Sequence, residues 1–256
     1  TLEEAGYKVA LLSIPGSTPP EINKGVILRG RWGGWGADFH ALNFESKGNL
    51  VQRIKQGRAT QLFFFGPQLT QYIDTQAPKG WQQPPQSYSE PFEVALDGWG
   101  AIVYTYVLDS TNDDKINYDR VVFSLDKQTM FADLSQGEWS DWQPIILKWK
   151  ADDQQVDVDS DVKATVIKLE DDGFFRIRIF YNTLNQYIAQ PSEAADAMKE
   201  SAGPMVDFVD NFPPQLIYYP EDKYTFQQEA GMSLEWHRNA VSAVRKNFSP
   251  DVIIHD

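Results

Sequence analysis

Residues 173–182 read GFFRIRIFYN, and the alternation within them decides the architecture. Successive side chains of a strand point to opposite faces, so Phe175, Ile177, Ile179 and Tyr181 share one side and Arg176 and Arg178 the other. Runs of the same character precede it: FEVALDGWGAIVYTYVLDS (92–110), YDRVVFSLD (118–126), PIILKWK (144–150) and VDVDSDVKATVIKLE (156–170). Gly, Asp and Asn turns separate them at the spacing of a sandwich or barrel. The middle of the chain is therefore predicted to be a β-rich, sandwich-like domain. Within that span PKGWQQPPQSYSEP (78–91) reads as a Pro- and Gln-rich loop, and PSEAADAMKESAGP (191–204) as a helix closed by Gly203-Pro204.

Outside this domain the pattern changes. LEEAGYKVALLSIPGS (2–17) reads as a helix end, a glycine stop at Gly6, a buried strand over Lys8–Ile14 and a Pro15-Gly16 turn. At the far end Thr225 and Gln228 spell a capping box. Behind it Phe226, Ala230, Leu234, His237, Val241, Val244 and Phe248 recur at helical spacing. Pro250 stops that helix and DVIIHD (251–256) follows as a short buried strand, which completes a helix-then-strand unit. The class is α/β at the two ends around a β-rich middle, α+β overall.

Composition narrows the partners. The 256 residues carry a net charge of -13, which opposes a nucleic-acid polymer, since such partners need a basic face that releases counterions. Cysteine is absent, which removes disulfides, a thiolate nucleophile and thiolate-ligated zinc. No run approaches the length of a membrane-spanning helix and no leader is present, so neither a span nor a compartment is indicated. Both ends read as cut.

Three constellations invite chemistry, each beside a plainer reading. His237 lies on the stripe of the last helix, but Ser233 and Val241 occupy the positions one turn away, so a metal pair is missing and a core or interface histidine is expected. DVDSDVK (157–163) begins like a calcium loop, yet Val162 stands where the loop needs glycine and Lys168 where it needs glutamate. An acidic strand edge is expected instead. GEWSDWQP (137–144) sets Trp139 and Trp142 beside Glu138 and Asp141, a combination that suits sugar rings, although tryptophans capping a sandwich are the reading favoured by how well tryptophan is buried on average. The sequence signatures of acyl transfer, NTP hydrolysis and zinc proteolysis are absent.

VALLSIPGSTPPEINKGV (9–26), with its strand, Pro15-Gly16-Ser17, Ile22-Asn23 and Gly25, resembles the segment after the nucleophile region of type I phosphodiesterases/nucleotide pyrophosphatases, members of the alkaline phosphatase superfamily. FQQEAGMSLEWHRNAVSAVRKNFSPDVIIHD (226–256) is similar to the helix and strand that lead to the family's later metal-binding segment. The resemblance implies a partial alkaline-phosphatase-like core over 1–30 and 215–256, interrupted by an inserted domain over 31–214. It implies a metal-dependent hydrolase in which a Thr or Ser nucleophile and two divalent metals, usually zinc, act on a small phosphoester or nucleotide-like substrate. Nucleophile and ligands would lie before Thr1 and after Asp256, so no catalytic residue and no metal is expected within this chain, which alone would be inactive. The alternative is a non-catalytic carbohydrate-binding or interaction module of β-sandwich type, built on Trp139 and Trp142.

RGRWGGWGADFHALNFE (29–45) leaves the family-like strand directly and is a candidate substrate rim. Arg29 and Arg31 suit a phosphate, and Trp32 and Trp35 suit a base or sugar face. Asp38 and His40 fall on one side of an extended segment. A glycine-rich hinge with tryptophans plugging a domain junction is the equal alternative.

Overall fold

The computed structural model describes residues 1–14, 22–29, 41–57, 70–151, 154–182, 184–185, 188–206 and 220–255. The chain divides into two compact units: Thr1–His40 with Asn182–Phe212 and Phe226–Asp256, and Ala41–Tyr181 with Pro213–Thr225. Residues 182–212 thus group with the chain ends rather than with the β-rich middle.

The first unit holds a four-stranded sheet in the order β12-β2-β1-β13, formed by β1 (Val9–Ile14), β2 (Gly25–Arg29), β12 (Ala189–Gln190) and β13 (Val252–His255). The two ends of the chain meet in it. β1 runs parallel to β13, with Val9 opposite Val252 and Leu12 opposite His255, and parallel to β2 on its other side. Val9, Ala10 and Leu12 of β1 and Val26, Ile27 and Leu28 of β2 are buried, the near-continuous apolar run expected of parallel strands covered on both faces. The amide of Lys8 donates to the Asp251 carboxylate at 2.7 Å and its ammonium to the Phe248 carbonyl, which ties β1 to the turn before β13. Gly25 opens β2 at φ +143°, with its Cα so close to β1 that a Cβ would stand 1.9 Å from the Val9 carbonyl oxygen. Only glycine fits there.

Two helices follow in this part of the chain, although the first six residues of the second, Pro220 to Thr225, group with the second unit. α2 (Ala194–Ala202) matches the helix read from 191–204, burying Ala194, Ala195 and Met198, and Gly203 follows it at φ +84°. α3 (Pro220–Phe248) corrects two expectations. Its first residue is Pro220, a residue suited to the first turn because its missing N–H would have had no partner there. Thr225 is therefore internal, and its hydroxyl donates to the Glu221 carbonyl at 3.0 Å instead of capping. The buried side is also phased differently up to its last turns: Asp222, Thr225, Glu229, Ser233, Trp236 and Ala240 are buried while Leu234 is exposed, and of the expected stripe Val244 is buried. The first four of those residues are polar, and hydrophobic periodicity does not see them.

The second unit is β-rich, as the alternation implied. One sheet has the order β4-β3-β11-β10-β9, from β3 (Ala41–Ser46), β4 (Thr70–Ile73), β9 (Gln143–Ala151), β10 (Gln154–Leu169) and β11 (Phe175–Tyr181). The other has the order β5-β6-β7-β8, from β5 (Phe92–Gly98), β6 (Ala101–Leu108), β7 (Arg120–Ser124) and β8 (Met130–Leu134). A short helix, α1 (Leu50–Lys55), follows β3. Phe175, Ile177, Ile179 and Tyr181 pack with Phe44, Val162 and Val166 of their own sheet against Leu96, Val103 and Phe123 of the other, in one continuous core. Trp99 and Gly100, at φ +54° and +72°, form the two-residue turn between β5 and β6. Both central residues sit in the left-handed region that a primed hairpin turn requires. The Trp99 ring stacks on Tyr181 with centroids 5.5 Å apart.

The first half of β10 pairs with β9 alone, and β11 joins only from Val162. Asp157 and Asp159 are exposed along that half-paired stretch, where like charges oppose pairing with a further strand, whereas Asp161 is buried.

Over the other sheet, the Pro- and Gln-rich loop is fastened by one carboxylate. Glu93 is buried and accepts from Lys127 Nζ at 2.9 Å, Trp81 Nε1 at 2.6 Å, Gln76 Nε2 at 2.9 Å and the Lys79 amide at 3.2 Å. Burial pushes its pKa up, but the bonds from Lys127, Trp81 and Lys79 outweigh that and hold it below the ordinary carboxylate value. Its contribution to stability is thus complete above the unfolded-state value of about 4.3 and is lost as pH falls through the lower folded value. Glu93→Gln is expected to cost about 2 kcal/mol in urea unfolding at pH 7, the size of a charged hydrogen bond. The gap from wild type should narrow as pH falls below the unfolded-state value and close once the folded-state carboxylate of wild type is protonated too. An undiminished gap at acid pH would show that the charge is not what holds the loop.

Candidate functional site

Parallel strands of an open α/β sheet present ligands at their carboxyl ends. In the first unit that edge is formed by Ile14, Arg29 and His255, the last residues of β1, β2 and β13. Arg29 is half-buried, and its amide donates to the Ile188 carbonyl at 2.8 Å, which fixes the backbone from which the guanidinium projects. Of the six candidate rim residues, Arg29 is placed at this edge. Arg31, Trp32, Trp35, Asp38 and His40 lie outside the described residues.

His237 is not the isolated helical histidine that its own helix suggests. Its Nδ1 lies 2.7 Å from Nε2 of His255, with ring centroids 4.8 Å apart. Trp236 packs edge-on against the His237 ring at 5.1 Å and donates from Nε1 to the Gly203 carbonyl at 3.1 Å. The histidine partner that is missing one helical turn away comes from the last strand, 18 residues on. Helical spacing carries no signal for it. Alternation within VIIH carries none either.

In the second unit the Trp139 and Trp142 segment lies along β10. Gly137 and Ser140 donate through their amides to the Val166 and Ala164 carbonyls at 2.7 and 2.9 Å, and the Thr165 hydroxyl donates to the Glu138 carbonyl at 2.7 Å. The Trp139 ring packs on Phe180 with centroids 5.1 Å apart. Trp142 is half-buried, with the Lys163 ammonium 5.9 Å from its ring centre. Lys163 donates to the Ser140 carbonyl at 2.5 Å. Burial pushes its pKa down, against the upward pull of the Asp141 carboxylate. Both indoles therefore have protein neighbours: an aromatic ring for one, a cation for the other.

A third group was visible in sequence only as the arginine side of FFRIRIFY. Arg176 and Arg178 are 3% and 1% exposed, opposite Glu45 and Asn43 of β3. Arg176 forms an ion pair with Asp222 of α3, whose residue is wholly buried, and Arg178 Nη1 donates to Asn43 Oδ1 at 3.0 Å. Beside them Tyr72, across from Glu45, has its hydroxyl pKa pushed up to about 12, by burial first and then by the Glu45 charge. This is a buried charge layer. Its effect is on stability.

Among the described residues no three His, Asp or Glu side chains gather into a metal-binding set, and no helix is long and apolar enough to cross a membrane. Comparison of the chain with protein-family models, with curated proteins and with solved structures finds no match.

Proposed function

We propose that this chain is the central part of a metal-dependent phosphohydrolase of the type I phosphodiesterase/nucleotide pyrophosphatase kind, an alkaline-phosphatase-like core interrupted by a β-rich insertion that shapes access to substrate. The observation that carries the reading is the closure of one parallel sheet by the two chain ends, β2-β1-β13, with α3 leading into β13. Those are the two stretches whose sequences resemble the family. Arg29 stands at the carboxyl edge of that sheet, where a guanidinium can take a phosphoryl oxygen pair. β13 adds support: Val252 and Ile253 are only half-buried and Ile254 is exposed, as fits a parallel strand that has a further neighbour in the whole protein.

The metals that the resemblance implies find no three-ligand set among the described residues, so no step is assigned to them here. This chain's own contribution is to position Arg29 and to wall the substrate.

The test is hydrolysis of bis(4-nitrophenyl) phosphate by the full-length polypeptide containing this chain, with and without added Zn²⁺ or Mn²⁺. Metal-dependent turnover is expected, and Arg29→Ala should lower kcat/KM by about 10- to 100-fold, the worth of a charged bidentate contact. No metal-dependent turnover by the full-length polypeptide would overturn the proposal.

A further inference from the structure

We infer that His237 and His255 form a two-imidazole site for a divalent transition-metal ion of the zinc, copper or nickel class. The inference does not rest on the phosphohydrolase reading, because the resemblance places that family's ligands outside residues 1–256.

The geometry is specific. Two ring nitrogens 2.7 Å apart cannot both hold a proton on the line between them, so at least one presents its lone pair to the other. A cation is what such a pair accommodates. With a proton the result is the hydrogen bond seen here. With a metal at Zn–N distances of about 2.0–2.1 Å in tetrahedral geometry, the nitrogens would stand about 3.3 Å apart, an opening of about 0.6 Å. His255 is exposed at the end of β13, and its side chain can supply that movement without disturbing the pairing of β13 with β1.

The two rings are also held by different means. His237 is backed by Trp236, which is itself buried and hydrogen-bonded to Gly203. His255 is held in register opposite Leu12. Partial exposure of both leaves the outer coordination positions to water. Neutral imidazole prefers borderline transition metals to the hard, oxygen-seeking ions, so Mg²⁺ and Ca²⁺ should not bind.

The experiment is calorimetric titration of this chain with Zn²⁺ at neutral pH, beside His237→Gln, His255→Gln and the double variant, each checked for its fold by circular dichroism. One equivalent of Zn²⁺ is expected, bound about tenfold or more weaker in either single variant and no better in the double variant, because loss of one imidazole abolishes chelation. Imidazole ¹⁵N spectra of the unsubstituted chain give a second reading that needs no variant. Zn²⁺ should shift Nδ1 of His237 and Nε2 of His255. Binding that survives the double substitution, or shifts that leave both nitrogens unmoved, would overturn the site.

Discussion

Replacing Arg176 by methionine is expected to lower the unfolding free energy by about 3–5 kcal/mol at pH 7, the range for removing one member of a buried ion pair. The substitution leaves a long apolar side chain in place of the guanidinium, so lost packing is small. What remains is the charge. Asp222 and Glu45 are 0% and 1% exposed, and without Arg176 both carboxylates would stay in a low-dielectric setting with less compensation. Asp222→Ala should cost less, about 3 kcal/mol, because Glu45 remains opposite Arg176 and keeps a negative charge near it. The pH dependence gives the sign. Unpaired buried carboxylates have folded-state pKa values above their unfolded ones, so the folded variant binds more protons and Arg176→Met should recover stability as pH falls. Urea unfolding followed at pH 7 and pH 5 measures this; a loss under about 1 kcal/mol at pH 7 would show that the pair is solvated in practice.

Gly25→Ala should be as damaging through a different cause. At φ +143° any side chain strains the backbone, at about 1–3 kcal/mol. The new Cβ would also lie 1.9 Å from the Val9 carbonyl oxygen, a main-chain atom that no rotamer change can move. Relief requires β1 and β2 to separate at the start of their register, Val9 opposite Gly25. The expected total is about 3 kcal/mol or more, concentrated in the first unit. Amide hydrogen exchange localises it: protection should fall across β1, β2 and β13 and hold in β5, β6 and β7. Uniform loss, or none, would contradict this account.

The parts of the fold that sequence made legible are those in which one local period dominates. FFRIRIFY announced a strand with an apolar side, and Phe175 to Tyr181 do line the core. VALLSI and VIIH were readable as strands from their continuous apolar runs, but burial held only for the first: in VIIH, Val252 and Ile253 are half-buried and Ile254 is exposed. What local periodicity cannot report is what covers a second face. Arg176 and Arg178 are hydrophilic by composition and fully buried in fact, because partners 131 and 135 residues away in the chain complete their environment, Glu45 and Asn43, both on the neighbouring strand β3. The same blindness displaced the phase of α3, where Asp222, Glu229 and Ser233 face inward.

Of the candidate site, Arg29 was reached through its place at the end of a family-like strand. His255 was not reached at all. Within VIIHD it reads as the tail of a buried run, and its meaning comes only from the crossover that returns α3 and β13 to the same sheet edge. A pair contributed by two elements has no spacing rule to search for. The tryptophans at 139 and 142 were legible as aromatic residues beside carboxylates, but the neighbours that occupy them, Phe180 and Lys163, are set by the strand register.

The pairing of β1 with β13 also has a schedule. Lys8 and Asp251 are 243 residues apart in sequence, so at a synthesis rate of about 5–20 residues per second the first strand leaves the ribosome some 12–50 s before its partner exists. Every strand of the second unit is made within that interval. For those seconds the apolar β1 and β2 have no β13 beside them, and a newborn chain exposes to chaperones, and to its neighbours on the same message, the strand edge that β13 later covers.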